Sequence, residues 1–240
     1  MQTFIREDKG NRYSGIFVPL ISMVLLASCA QSGSFQTPGP VNGSSNSSSA
    51  VPSAPTSAPV ASYQPEPLIW ESSAHPERAA WSSSLYQIIS SSFTTLNEAK
   101  DVSVFCPNYA NLTQNQQINL WADIFAGDAY YESSWDPTEY SVDVGTANDN
   151  ATWSVGLLQM SVVDQQNYGF NFGFSFADLQ TPTKNLQLAV AVMAKQVAKH
   201  GTILIPAGNS GLYWATMSPG GKYDHTADIV KMTEQLSFCH

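Results

Sequence analysis

Glu132 is the residue of this chain best placed to do chemistry. It lies seven positions after Phe125 and eleven after Trp121. At 100° per residue both spacings bring it back to the same helical face. That face is apolar and should point inward, and Pro137, with Asp136 before it, should break the helix soon after. A carboxyl on such a face, near the negative end of a helix dipole, keeps its proton more readily than one in water. Protonated, it could act as a general acid on a glycosidic oxygen. Geometry alone leaves a second reading equally open, a Glu that frays into solvent at a helix end. About two dozen residues on comes Gly156-Leu157-Leu158-Gln159-Met160. Gly156 permits close backbone approach. Gln159 offers a donor and an acceptor suited to sugar hydroxyl and acetamido groups. Alone, this segment reads as a core turn.

In this order the two segments are more specific. Glu132-Ser133-Ser134-Trp135-Asp136-Pro137 followed by Ser154-Val155-Gly156-Leu157-Leu158-Gln159-Met160 resembles the catalytic core of lytic transglycosylase (SLT) domains, relatives of goose-type lysozyme. The resemblance runs over about Cys106–Thr216. It implies a lysozyme-like helical fold with Glu132 as the single acid and base. It also implies a glycan cleft lined by Ser133, Gly156, Gln159 and Met160, with Asn185 supplied by a later helix. The family's Ala-Tyr-Asn-x-Gly motif has its nearest counterpart in Gly211-Leu212-Tyr213-Trp214-Ala215. Tyr213 is carried over as the Tyr that faces the acid, but the Asn and Gly of the motif are missing. The segment Asp143–Trp153 is irregular for the family.

The implied reaction cleaves the bond between N-acetylmuramic acid and N-acetylglucosamine in peptidoglycan. Glu132 protonates the leaving oxygen, the substrate's acetamido group assists at the anomeric carbon, and Glu132 then takes the proton of the 6-hydroxyl. A 1,6-anhydro ring closes, and no metal or cofactor is needed. One alternative is a muramidase, in which Asp143 or Asp149 positions a water; an acidic loop in solvent is the plainer reading of those residues. Another is a peptidoglycan-binding lipoprotein without catalysis. Tyr130, Tyr131, Trp135, Trp153 and Tyr168 could stack on sugars or simply fill the core. His75, His200, His225 and His240 show no metal-ligand spacing and read as surface residues or caps.

The elements that must position these residues are helical. Apolar spacing predicts helices over Trp81–Lys100, Gln114–Tyr131 behind a Thr113 cap, and Ser161–Tyr168. A long, centrally buried helix from a Thr183 cap to His200 should stop at Gly201, and a last one should cover His225–Leu236. Strand alternation is scarce. The expected fold is mainly α with at most a very small β element.

The N-terminal part reads differently. Arg6, Lys9 and Arg12 precede an apolar run from Ile16 to Ala27, too short to cross a membrane comfortably. It ends Leu26-Ala27-Ser28-Cys29, which resembles a bacterial lipobox. Residues 1–28 are expected to be a lipoprotein signal peptide and Cys29 the lipidated residue. Ala30 is not an Asp, which favours the outer membrane, facing the periplasm. Residues 29–67 are rich in Ser, Pro and Ala and read as a disordered tether. Residues 68–240 are left as a single catalytic domain, expected to be monomeric. Cys106 and Cys239 form an even pair in an oxidising compartment, so one disulfide is expected. The net charge of −9 gives solubility and argues against nucleic-acid binding.

Overall fold

The computed structural model describes residues 63–142, 149–209 and 213–240. The signal segment, Cys29, the tether through residue 62 and Asp143 lie outside them. Six α-helices occur among the described residues: α1 (Arg78–Leu96), α2 (Gln114–Ser133), α3 (Asp164–Asn167), α4 (Phe176–Leu179), α5 (Pro182–His200) and α6 (Thr226–Thr233). Short 3₁₀ turns lie at Val102–Val104, Tyr109–Asn111, Ala215–Met217 and Ser237–Cys239. The strands β1 (Tyr140–Ser141) and β2 (Ser154–Val155) pair antiparallel, Tyr140 opposite Val155 and Ser141 opposite Ser154. The fold is mainly α with one very small sheet, as the apolar spacing predicts.

α2 is the axis of the domain. Thr113 and Gln116 form a reciprocal capping box at its start, which satisfies otherwise orphaned N–H groups. Ile118, Leu120, Trp121, Ile124, Phe125 and Ala129 are buried, so α2 meets apolar neighbours on several sides. α1 packs on both α5 and α2, and α6 packs on α2. α6 comes close because residue 127 is Gly. A Cβ there would lie 3.1 Å from Ile229 Cγ2. α2 ends after Ser133, where Ser134 (φ 54°) and Trp135 (φ 62°) both turn left-handed. Such conformations cost energy in residues with side chains and are held by their surroundings. Here the Trp135 indole donates to Ala126 O at 2.8 Å, pinning the turn onto the helix.

Several boundaries differ from the sequence expectation, each for a local reason. α1 starts at Arg78, three residues early, with the buried guanidinium donating to Trp70 O. It stops at Leu96, and the Lys100 N–H is taken by Gly201 O. α5 is entered through Pro182 at its first position, with Thr181 before it, so Thr183 is inside the helix and not its cap. Proline's fixed φ suits a first helical turn, where its missing N–H costs nothing. Gly201 ends α5 as expected, at φ 71°. α3 keeps only Asp164–Asn167 of the Ser161–Tyr168 stretch, and α6 only Thr226–Thr233 of its own. α4 was not expected; Ser175 and Asp178 form its capping box.

The chain returns to the core before α1. Leu68 and Trp70 are buried, and the Ile69 N–H donates to Asp123 Oδ1 at 2.9 Å. The Glu66 N–H donates to Asn119 Oδ1 at 2.6 Å. Burial pushes the Asp123 carboxyl up to about 7, and Glu66 adds to the rise. A raised carboxyl favours folding most below its unfolded value, and that contribution is lost as pH rises through about 7. Asn can accept the same Ile69 N–H without a charge to bury. Asp123→Asn is therefore expected to stabilise the protein by on the order of 2–4 kcal/mol at pH 8 and to change little near pH 4. Urea unfolding across that range tests it; equal stability of the two proteins at pH 8 would refute it.

At the other end of the chain, Cys106 and Cys239 form a disulfide, with Cα atoms 5.0 Å apart. The Thr233 hydroxyl donates to Phe105 O at 2.7 Å, and Asn108 Nδ2 to Phe238 O at 3.2 Å. The C-terminus is thus tied to the segment that leads into α2.

Candidate active site

Glu132 lies in the last turn of α2 and is half-buried. Thr216 Oγ1, in the 3₁₀ turn Ala215–Met217, is 3.0 Å from Glu132 Oε1. The same hydroxyl is 2.5 Å from Asp128 Oδ1, one helical turn back on α2 and fully buried. Beside Glu132 on α2, the Tyr131 ring stacks on His225 with centroids 4.0 Å apart. Burial raises the Tyr131 hydroxyl above its usual range, helped by Asp228. The His225 backbone N–H donates to Thr216 O at 2.8 Å, which ties the residue before α6 to the turn that holds Thr216.

The turn Gly156–Met160 is locked from three directions. Ser133, next to Glu132, has its hydroxyl 2.9 Å from Leu157 O and 3.0 Å from Ala129 O. The turn is thereby fixed to the end of α2. From α5, Asn185 Nδ2 donates to Val155 O and Leu179 O at 2.8 and 2.9 Å, while Asn185 Oδ1 accepts the Leu158 N–H at 2.9 Å. From the far side, the Trp214 indole donates to Leu158 O at 3.0 Å. Val155 and Met160 exchange both backbone hydrogen bonds across the turn. Gly156 has φ 76°, and a Cβ there would lie 2.4 Å from both Asn185 Nδ2 and Leu179 O. The turn closes only because residue 156 has no side chain.

Residues 110–215 match the family model for the transglycosylase SLT domain. This segment is an SLT domain. Among solved structures, the chain is similar to two glutamate-to-glutamine mutants of Bd0314 DslA and to its wild-type form 2. The mutants are each 28% identical, with TM-scores of 0.59 and 0.61. These alignments cover 69% and 72% of this chain, and 93% and 97% of theirs. The wild type is 27% identical with a TM-score of 0.59, over 69% of this chain and 93% of that one. No curated protein sequence matches the chain. The SLT domain supports a transglycosylase-type enzyme that acts on peptidoglycan.

Within the SLT domain, the residues singled out by sequence converge on one place, but mostly from beneath it. Glu132 keeps partial exposure. Met160 and Asn185 are fully buried, and Ser133 and Gln159 nearly so. Gln159 adopts φ 48°, and its amide donates to Gly156 O at 3.0 Å and Glu139 O at 3.2 Å. As first read, these residues contact glycan; in the structure their polar groups are engaged in building the Gly156–Met160 turn. Tyr213 needs a clearer correction. It is 1% exposed, and its hydroxyl donates to buried Asp164. Asp164 in turn accepts from the Ser161 N–H and hydroxyl at 2.8 and 2.7 Å. Tyr213 therefore braces the segment after the turn from within the core. Asp149 is exposed and accepts the Ala151 N–H at 3.1 Å, a local turn contact.

Two residues escaped the sequence reading, Asp128 and Thr216. Asp128 carried a signal: it lies four positions before Glu132 on the same inward face of α2. Thr216 carried none, since its place depends on a contact 88 residues away. Aromatic rings flank the site. Tyr130 is exposed and packs on Tyr131 and Trp135, while Trp153 stacks on exposed Tyr140 at 5.5 Å. Among the described residues, no three His, Cys, Asp or Glu side chains are grouped to hold a metal ion.

Proposed function

We propose that this chain is a lytic transglycosylase that cuts the β-1,4 bond between N-acetylmuramic acid and N-acetylglucosamine and leaves a 1,6-anhydro end. One observation carries the reading. The Glu132 carboxyl sits at the rim of the core, hydrogen-bonded to Thr216 and joined through Ser133 to the Gly156–Met160 turn. That provides one acid at a fixed distance from a rigid surface for a polymer. Glu132 gives its proton to the leaving oxygen as the bond from that oxygen to the anomeric carbon breaks. It then accepts the proton of the sugar's 6-hydroxyl as that oxygen bonds to the anomeric carbon. The proton count closes without water, and one carboxyl serves as acid and then base.

Mass spectrometry of soluble products from purified peptidoglycan tests the reaction. Anhydro ends, lighter by one water than reducing ends, are the expected product. Reducing ends instead would make the enzyme a muramidase. Lipid anchoring at Cys29, at the periplasmic face of the outer membrane, belongs to the same proposal. Cys29→Ala is expected to move the protein from the membrane fraction to the soluble one; unchanged membrane association would reject the anchor.

A further inference from the structure

Tyr140, on β1, is 50% exposed, while its cross-strand partner Val155 is fully buried. The exposed ring is nevertheless held in place. The Trp153 ring lies nearly parallel to it, with centroids 5.5 Å apart and an interplanar angle of 11°. Phe176, the first residue of α4, meets both rings at steep angles, at 6.1 Å from Tyr140 and 5.9 Å from Trp153. Three segments of the chain thus bring one ring each to a single cluster. Trp153 and Phe176 are half-buried, and Tyr140 is the most exposed of the three. A cluster that served only as a small core would cover such a ring, because burial of its apolar surface is what stabilises a core. Phe170 and Phe174, farther along the chain, differ in that each ring lies 5.6 Å from a lysine Nζ of α5.

The backbone that carries Tyr140 is fixed to the site. Glu139 O, one residue earlier, accepts the Gly156 N–H at 2.8 Å and the Gln159 amide at 3.2 Å. Tyr140 itself pairs with Val155, the residue before Gly156. The same turn is joined to the end of α2 through Ser133, next to Glu132. The ring therefore extends the surface around the turn. A β-1,4-linked pyranose presents a flat face of C–H bonds, and an aromatic ring offers an apolar, electron-rich face that matches it. The phenol hydroxyl keeps the outer edge compatible with water. A ring already locked by its neighbours gives up little side-chain entropy when it binds.

We infer that Tyr140, backed by Trp153 and Phe176, is a stacking platform for one pyranose of the glycan strand, beyond the bond that Glu132 cleaves. The inference rests on the reading of the site as one that takes peptidoglycan glycan, and it adds a binding residue to that site. Tyr140 touches the sugar, whereas Trp153 and Phe176 set the plane of its ring and are positioning residues. Binding is measured on the full chain carrying Glu132→Gln, so that the strand is not consumed, with peptide-free glycan strands of peptidoglycan as the probe. Tyr140→Leu keeps an apolar side chain but removes the ring, and it is expected to weaken binding about tenfold, the loss of one aromatic anchor. Tyr140→Phe keeps the ring and should bind like the parent. Thermal unfolding checks that both variants are folded. Parent-like binding by folded Tyr140→Leu overturns the platform. An equal loss in Tyr140→Phe overturns it too, since the hydroxyl and not the ring would then be the contact. If Tyr140→Leu does not fold, the ring NMR signal absent from Tyr140→Phe decides: it shifts on addition of the strands if the platform binds them and stays in place if it does not. Products from wild type together with parent-like binding by Tyr140→Leu would leave the catalytic reading intact and remove the platform. Weakened binding by Tyr140→Leu with no products from wild type would keep the platform and remove the catalytic reading.

Discussion

Glu132→Gln is expected to fold normally and to release no anhydro-muropeptides. Gln is nearly the same size as Glu, and its carbonyl can still accept from the Thr216 hydroxyl, which lies 3.0 Å from Glu132 Oε1. The links that hold the turn run through Ser133, Asn185 and Trp214, and the substitution leaves them untouched. What disappears is a group able to give a proton and then take one. Removal of a positioned general acid–base typically costs 10²–10⁴ in rate, and here one group serves both steps. A loss of about 10³-fold or more follows, equivalent to roughly 4 kcal/mol of transition-state stabilisation. Product mass spectrometry on wild type and variant measures it, and thermal unfolding checks that the variant is folded. Turnover near the wild-type level in Glu132→Gln would remove Glu132 from the mechanism.

The largest stability effect should come from the Cys106–Cys239 bridge. It closes a loop of 133 residues that contains α2, the turn and α5. In the chain-entropy description a loop of that length limits the unfolded state by about 5 kcal/mol, an upper figure. Domains are commonly stable by only about 5–15 kcal/mol, so this is a large fraction. The local contacts Thr233–Phe105 and Asn108–Phe238 do not run through the sulfur atoms, so the expected loss is mainly one of loop closure. Replacing both cysteines by Ala should lower the Tm by roughly 10–20 °C for a domain of this size. Calorimetry of the double variant in non-reducing buffer tests this. A Tm within about 2 °C of wild type would mean the bridge adds no net stability.

Both effects rest on features that were readable along the chain to different degrees. Helices were the most legible part. α2 was visible because Trp121 and Phe125 recur on one face and because Thr113 and Gln116 mark its start, and all of these signals act within a few residues. The inward face of Glu132 followed from the same periodicity. Gly156 was legible as a place where the backbone must come close, and the structure supplies the reason in Asn185 and Leu179. The mainly α fold and the pairing of the two cysteines were thus available from residue type and spacing, while the joining of Glu132 to a Gly-Leu-Leu-Gln turn was implied by the resemblance to SLT domains.

The roles of side chains within the site were less legible. Asn185 and Tyr213 were read as reaching toward substrate, yet each faces inward and satisfies buried partners. A motif records which residue stands at a position, but the direction of its side chain depends on what packs around it. Asn185 points into the turn because the buried carbonyls of Val155 and Leu179 and the N–H of Leu158 need partners there. The Asp128–Thr216–Glu132 cluster was the least legible, since it depends on a 3₁₀ turn 84 residues beyond Glu132 folding back onto α2. The sequence by itself determined the helices, the capped and broken ends of α2, and the face on which Glu132 sits, because these follow from interactions within one or two turns of chain. Tertiary structure alone decided which hydroxyl meets Glu132 and which side chains are spent on holding the turn, because those contacts arise only when distant segments compete to bury the same polar groups.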